Sequence, residues 1–101
     1  MIVVTRSSSG ITIEGHAGYA PRGQDIVCAG ISTLVQTLIQ SAEELCSDTI
    51  SYHLKKGFVE IKYDNLSANG QVLANSFFIG IDMIANRYPD YVTVVNTPKL
   101  W

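Results

Sequence analysis

Two long stretches of helical period, each preceded by a pair of short alternating segments, leave this chain few ways to fold. From about Asp25 to Cys46, the apolar residues Ile31, Leu34, Val35, Leu38, Ala42 and Leu45 recur at i, i+3, i+4, i+7 spacing. Gln36, Gln40, Glu43 and Glu44 fall on other faces. A helix so patterned must bury its apolar stripe, and the segments around it supply a sheet to bury it on. Residues 2–6 are rich in Val, Ile and Thr and read as a strand, Ser7-Ser8-Ser9-Gly10 as a turn. Ile11 and Ile13 alternate with Thr12 and Glu14 in a second strand that arrives at His16. Ile50 to Lys55 and Phe58 to Tyr63 repeat the arrangement around a Lys56-Gly57 turn. A second helix, from about Ala68 to Arg87, follows. Tyr88-Pro89-Asp90 ends it, and residues 91–95 read as a last strand.

The expected order is therefore ββαββαβ. It implies an α+β fold with a mixed or mostly antiparallel sheet and two packed helices. With 101 residues, the chain is long enough for one core and too short for two, so residues 1–101 read as a single domain. Formal net charge is −2, and Arg6, Arg22, Lys55, Lys56, Lys62, Arg87 and Lys99 are scattered, with only Lys55-Lys56 adjoining. A nucleic-acid partner, which needs clustered Lys and Arg, is not expected. The start, Met1-Ile2-Val3-Val4-Thr5-Arg6, lacks the pattern of a secretory signal, and no apolar run approaches the roughly 20 residues that span a bilayer. A cytoplasmic protein with reduced thiols and no membrane partner is the expectation.

The connection between the second strand and the first helix is longer than architecture requires. Residues 17–24 carry Gly18, Tyr19, Pro21, Arg22 and Gly23 with no useful period. Asp25 suits the N-cap of the helix, which places Cys28 in the first turn, close to unpaired N–H groups and the positive end of the helix dipole. Thiols in such places ionise more readily, and an imidazole nearby activates them further. His16, at the strand's end, can close on the same point. Such a pair attacks a carbonyl, passes through a thioester and is released by water, with N–H groups of the helix start steadying the oxyanion. Each residue also has a plainer reading: a first-turn cysteine often only packs, and a strand-end histidine often faces solvent.

Other candidates carry less. Asp25 can orient His16, although the cap alone explains it; Ser32 lies one turn after Cys28 and can line the same pocket or merely allow close helix packing. Tyr19 and Arg22 are candidates for substrate contact. Cys46 lies eighteen residues beyond Cys28, roughly 27 Å along a continuous helix, which excludes a bridge within it. His53 shares the polar face of its strand with Ser51 and Lys55 and reads as solvated. The spacings of His16, Cys28, Cys46 and His53 match no compact zinc motif, so no metal or other cofactor is expected. The broad apolar cover of the second helix reads as core, with Phe78 and Met83 as surplus for a dimer contact.

The stretch Gly15-His16-Ala17 through Gly23, Asp25-Ile26-Val27-Cys28-Ala29 and Ser32 resembles the motif of the ribosomal-processing cysteine proteases, the Prp family. The similarity continues through Gly80, Ile84 and Tyr88-Pro89-Asp90-Tyr91-Val92, nearly the whole chain. The resemblance implies an α+β homodimer with a His/Cys catalytic pair at His16 and Cys28, and a mobile loop, residues 17–24, that orders on substrate. It also implies a substrate: the N-terminal extension of a large-subunit ribosomal protein precursor, cut after bulky aromatic residues. Phage-associated relatives imply capsid or scaffold proteins as a second class. The rival readings are a noncatalytic ribosome- or capsid-associated binding module and a thiol-dependent acyl transferase. One departure stands out: Gly30 occupies a position where alanine is usual, which predicts a looser helix start.

Overall fold

The computed structural model describes residues 1–21 and 23–98. Its elements are β1 (Ile2–Ser7), β2 (Gly10–Gly15), α1 (Ile26–Leu45), β3 (Ile50–Lys55), β4 (Phe58–Tyr63), α2 (Ala68–Arg87) and β5 (Val92–Asn96). They form one five-stranded sheet in the order β3-β4-β2-β1-β5. Neighbours are antiparallel except β1 and β5, which run parallel, so the sheet is mixed. The order of elements and the two-helix α+β architecture match the sequence-based expectation.

Register decides which face is buried. Val4 lies opposite Ile13, Ile11 opposite Ile61, and Ile2 beside Val92, which puts these side chains on one face. They join Val27, Ile31 and Val35 of α1 and Phe77, Phe78 and Ile81 of α2 in a single core. Phe78 is therefore core and not surplus: it is 2 % exposed, its ring meets Phe77 edge-on, and the Arg6 guanidinium lies over it. Met83 is exposed as expected, together with Val72 and Ile79. Phe77 and Phe78 are both buried because α2 packs on the sheet and on α1 at once, which widens its buried arc.

The helices meet through two glycines. A Cβ at Gly80 would come within 2.8 Å of Leu34, and one at Gly30 within 3.2 Å of Ile84. Gly30 thus admits a close approach of α2 rather than loosening α1, which is helical from Ile26 onward. By length and composition alone α1 is long and apolar enough to cross a membrane, beyond what the sequence pattern led us to expect. Its Val27, Ile31, Val35, Leu38, Ile39 and Ala42 are buried, however, while Gln36, Gln40, Glu43 and Glu44 are exposed. That is the division of a core helix.

The two helices do not cover the whole sheet. Tyr52 and Leu54 of the edge strand β3 lie opposite Ile61 and Val59 and so share the helix-bearing face, yet they stay 46 % and 52 % exposed. The Tyr52 hydroxyl donates to Glu43 of α1 at 3.5 Å, but α1 leaves Leu54 uncovered, and a groove lies between α1 and the β3–β4 hairpin.

If the face assignment is right, Ile11→Ala should lower unfolding free energy by about 2–5 kcal/mol in urea titrations. Val95→Ala, on the opposite and exposed face, should stay within about 0.5 kcal/mol. Equal losses would contradict it.

Candidate active site

Asp25 begins α1 in extended backbone, and its carboxylate accepts the Cys28 backbone N–H at 3.0 Å through Oδ1. Oδ2 accepts the Tyr19 N–H at 3.1 Å. One side chain thus caps the helix and ties down the loop that leads to it. Partial burial pushes the Asp25 carboxyl up, but hydrogen bonds from the Cys28 and Tyr19 backbone, then the Cys28 side chain and the Ala20 backbone, outweigh it and hold the group below its ordinary value. Both oxygens are engaged at the helix start, so the cap accounts for Asp25, and it makes no hydrogen bond to the His16 ring. The cap also takes the Cys28 N–H, leaving those of Ile26 and Val27 as first-turn donors without a partner inside the helix.

His16 follows directly on β2. Gly15 before it takes φ +101°, and a side chain there would run into the Met1 carbonyl, so only glycine lets the chain turn at this point. The Met1 amino nitrogen donates to the His16 carbonyl at 2.7 Å. The imidazole is exposed and the Cys28 thiol half-buried, and both line the groove left beside β3.

That groove encloses about 300 Å³. Ile31, Ser32, Val35 and Gln36 of α1 form one wall, Ile2 and Ile13 the floor, and Leu54, Phe58 and Val59 of the hairpin the other wall. The predicted pair His16 and Cys28, with Ser32, is therefore brought to one apolar cleft. No hydrogen bond joins the imidazole to the thiol among the described residues, a looseness common before substrate binds. A wider hollow of about 1060 Å³ opens at the far end of β1, around Arg6, Tyr63 and Asn75, but it holds neither of the cysteines nor a histidine. Chemistry, not size, selects the smaller cleft.

Of the loop candidates, Gly18, Tyr19 and Gly23 do not line this groove. The Tyr19 ring packs edge-on against Tyr88 and Tyr91, at 5.4 and 5.3 Å between centroids. Gly18 and Gly23 take left-handed backbone with open space around them. Arg22 lies outside the described residues. His53 is exposed on the outer face opposite Glu60, and Cys46 caps the far end of α1 as a free thiol. Sequence reasoning did not find the hairpin wall of Leu54, Phe58 and Val59, nor Gly57, where a Cβ would stand 2.9 Å from the His16 Nε2. Nothing local in those residues signals it, because the wall exists only where α1 fails to cover β3.

Residues 1–93 match the family model described as cysteine protease Prp. The chain belongs to this family. Over 96 residues it is 28% identical to the ribosomal processing cysteine protease Prp of Mycoplasma genitalium, an alignment covering 93% of this chain and 94% of the relative. A 35-residue stretch is 49% identical to Prp of Mycoplasma pneumoniae, covering 35% of each chain. The fold matches that of S. aureus Prp, solved with a covalently linked product peptide. There the TM-score is 0.92 at 20% identity, over 96% of this chain and 100% of that one. A Streptococcus mutans protein matches with TM-score 0.80 and 28% identity, over 97% of this chain and 93% of its own. Membership of the Prp family makes peptide hydrolysis by a thiol the chemistry of the fold.

Asp25 sets an acid dependence with a definite sign. Its folded value lies below the ordinary 3.8, so its contribution is complete above that value and is lost as pH falls through the lower folded value. Asp25→Asn keeps a cap without the charge, and its urea midpoint should decline less in acid than the wild-type midpoint. Parallel acid curves would contradict the assignment. Asp25→Ala should cost about 1 kcal/mol at neutral pH.

Proposed function

We propose that the protein is an endopeptidase in which Cys28 attacks the scissile carbonyl and His16 moves the proton. The observation that carries this reading is the shared cleft: an imidazole and a thiol at a helix start open on one apolar-walled groove. His16 takes the thiol proton as the sulfur–carbon bond forms. It then delivers that proton to the leaving amine as the peptide bond breaks. Water, deprotonated by His16, releases the thioester as a carboxylate and restores the thiol. The N–H groups of Ile26 and Val27 are the donors available to the oxyanion. Of the two cysteines, only Cys28 lies at this cleft; Cys46 ends the same helix.

The substrate we propose is the N-terminal extension of a large-subunit ribosomal protein precursor. The groove suits it in kind, since Ile31, Val35, Leu54, Phe58 and Val59 offer apolar walls to a bulky aromatic side chain on the acyl side of the cut. The curated relatives are themselves named for ribosomal processing. Capsid or scaffold proteins would be cut by the same chemistry. The working form we propose is a cytoplasmic homodimer. Exposed Val72, Ile79 and Met83 fall on one face of α2, an apolar stripe suited to a second copy.

Purified protein mixed with a precursor peptide spanning the extension, and read by mass spectrometry, tests the proposal. A single cut after an aromatic residue is expected. Cys28→Ala should abolish it, and His16→Ala should slow it by about 10²–10⁴. Cleavage that survives Cys28→Ala overturns the mechanism. An intact precursor peptide beside a processed capsid or scaffold peptide redirects the substrate.

A further inference from the structure

Resting on the His16/Cys28 reading, the geometry points to Gly57, in the β3–β4 turn, as the positioning residue that orients the His16 imidazole. Catalytic imidazoles are commonly held by a hydrogen bond from the nitrogen away from the reaction. Here the described residues offer the His16 ring no such partner, because both oxygens of Asp25 are engaged by the Cys28 and Tyr19 N–H groups. What meets the ring instead is the bare backbone of Gly57. A Cβ there would stand 2.9 Å from Nε2, 3.4 Å from Cε1 and 3.7 Å from Cδ2. The Nε2 corner of the imidazole therefore occupies the space that a side chain at Gly57 would take.

Gly57 cannot retreat to make room. Its carbonyl accepts the Gly15 N–H at 2.9 Å, which fixes the turn to the residue just before His16. Phe58 beside it is registered against Glu14. The ring is the movable partner, and it sits on an exposed side chain at the rim of the cleft. Gly57 also takes φ +75°, which alone favours glycine. Gly18 and Gly23 take similar backbone with nothing within 4 Å, so the imidazole contact is a separate feature of Gly57. Glycine at the hairpin turn thereby admits the imidazole to the place it takes at the rim of the groove, and any side chain there would push it away.

The test is a double-mutant comparison read on Cys28 itself. Wild type, Gly57→Ala, His16→Ala and the double variant are alkylated with iodoacetamide from mildly acidic to mildly alkaline pH. Peptide mass mapping keeps Cys28 apart from Cys46, and thermal melts report folding. Gly57→Ala should slow Cys28 alkylation at neutral pH by roughly tenfold or more, since small misplacements of a reacting group carry losses of that order. It should also move the pH profile toward that of His16→Ala, and add nothing in the His16→Ala background. Gly57→Asn, which carries the same Cβ but accepts left-handed backbone more readily, should act likewise and replaces the Ala variant should that one fail to fold. A wild-type profile for both Gly57 variants overturns the inference. So does an equal loss with and without His16, which would mark a distorted hairpin. A His16→Ala profile identical to wild type overturns instead the catalytic pairing from which the inference starts.

Discussion

Two backbone N–H groups converge on the carboxylate of Asp25, and the geometry of the candidate active site hangs from that point. The bond from Cys28 starts α1 where it does and so sets the thiol in the first turn of a 20-residue helix. The bond from Tyr19 draws the glycine-rich loop back onto the helix start, and the Tyr19 ring then locks against Tyr88 and Tyr91 at the end of α2. Without this shared anchor, the strand that delivers His16 and the helix that delivers Cys28 would be joined only by a loosely held connection. With it, a local cap becomes a tertiary constraint.

The sheet supplies the other half of the site. Because α1 meets the edge strand β3 through the Tyr52 hydroxyl and Glu43 but does not cover Leu54, that side chain keeps an open flank on the helix-bearing face, and the space between becomes a groove with apolar walls. His16 and Cys28, the proposed reactive pair, both line that groove. The proposed proteolysis requires the groove to take an extended polypeptide.

Much of this was legible in the sequence because the signals were local. The i, i+3, i+4, i+7 spacing and the Asp25 cap located α1, and strand alternation located both hairpins. His16 and Cys28 stood out because a cap and a strand end are short-range features. What stayed hidden was non-local. Phe78 looked like surplus because its burial depends on α2 touching the sheet and α1 together. Gly30 looked like a weak spot in a helix, whereas it is the place where Ile84 comes close. Gly57 read as a turn residue only, since its meeting with His16 requires the fold.

The central claim is that one of two otherwise similar thiols is made reactive and accessible by its place in this groove. Labelling with a peptidyl chloromethyl ketone carrying phenylalanine next to the reactive carbon, followed by peptide mapping, tests it most directly. The account predicts covalent modification at Cys28 that outpaces Cys46 and that excess precursor peptide suppresses. Equal labelling of both cysteines, or labelling of Cys28 that the peptide leaves unchanged, would contradict it.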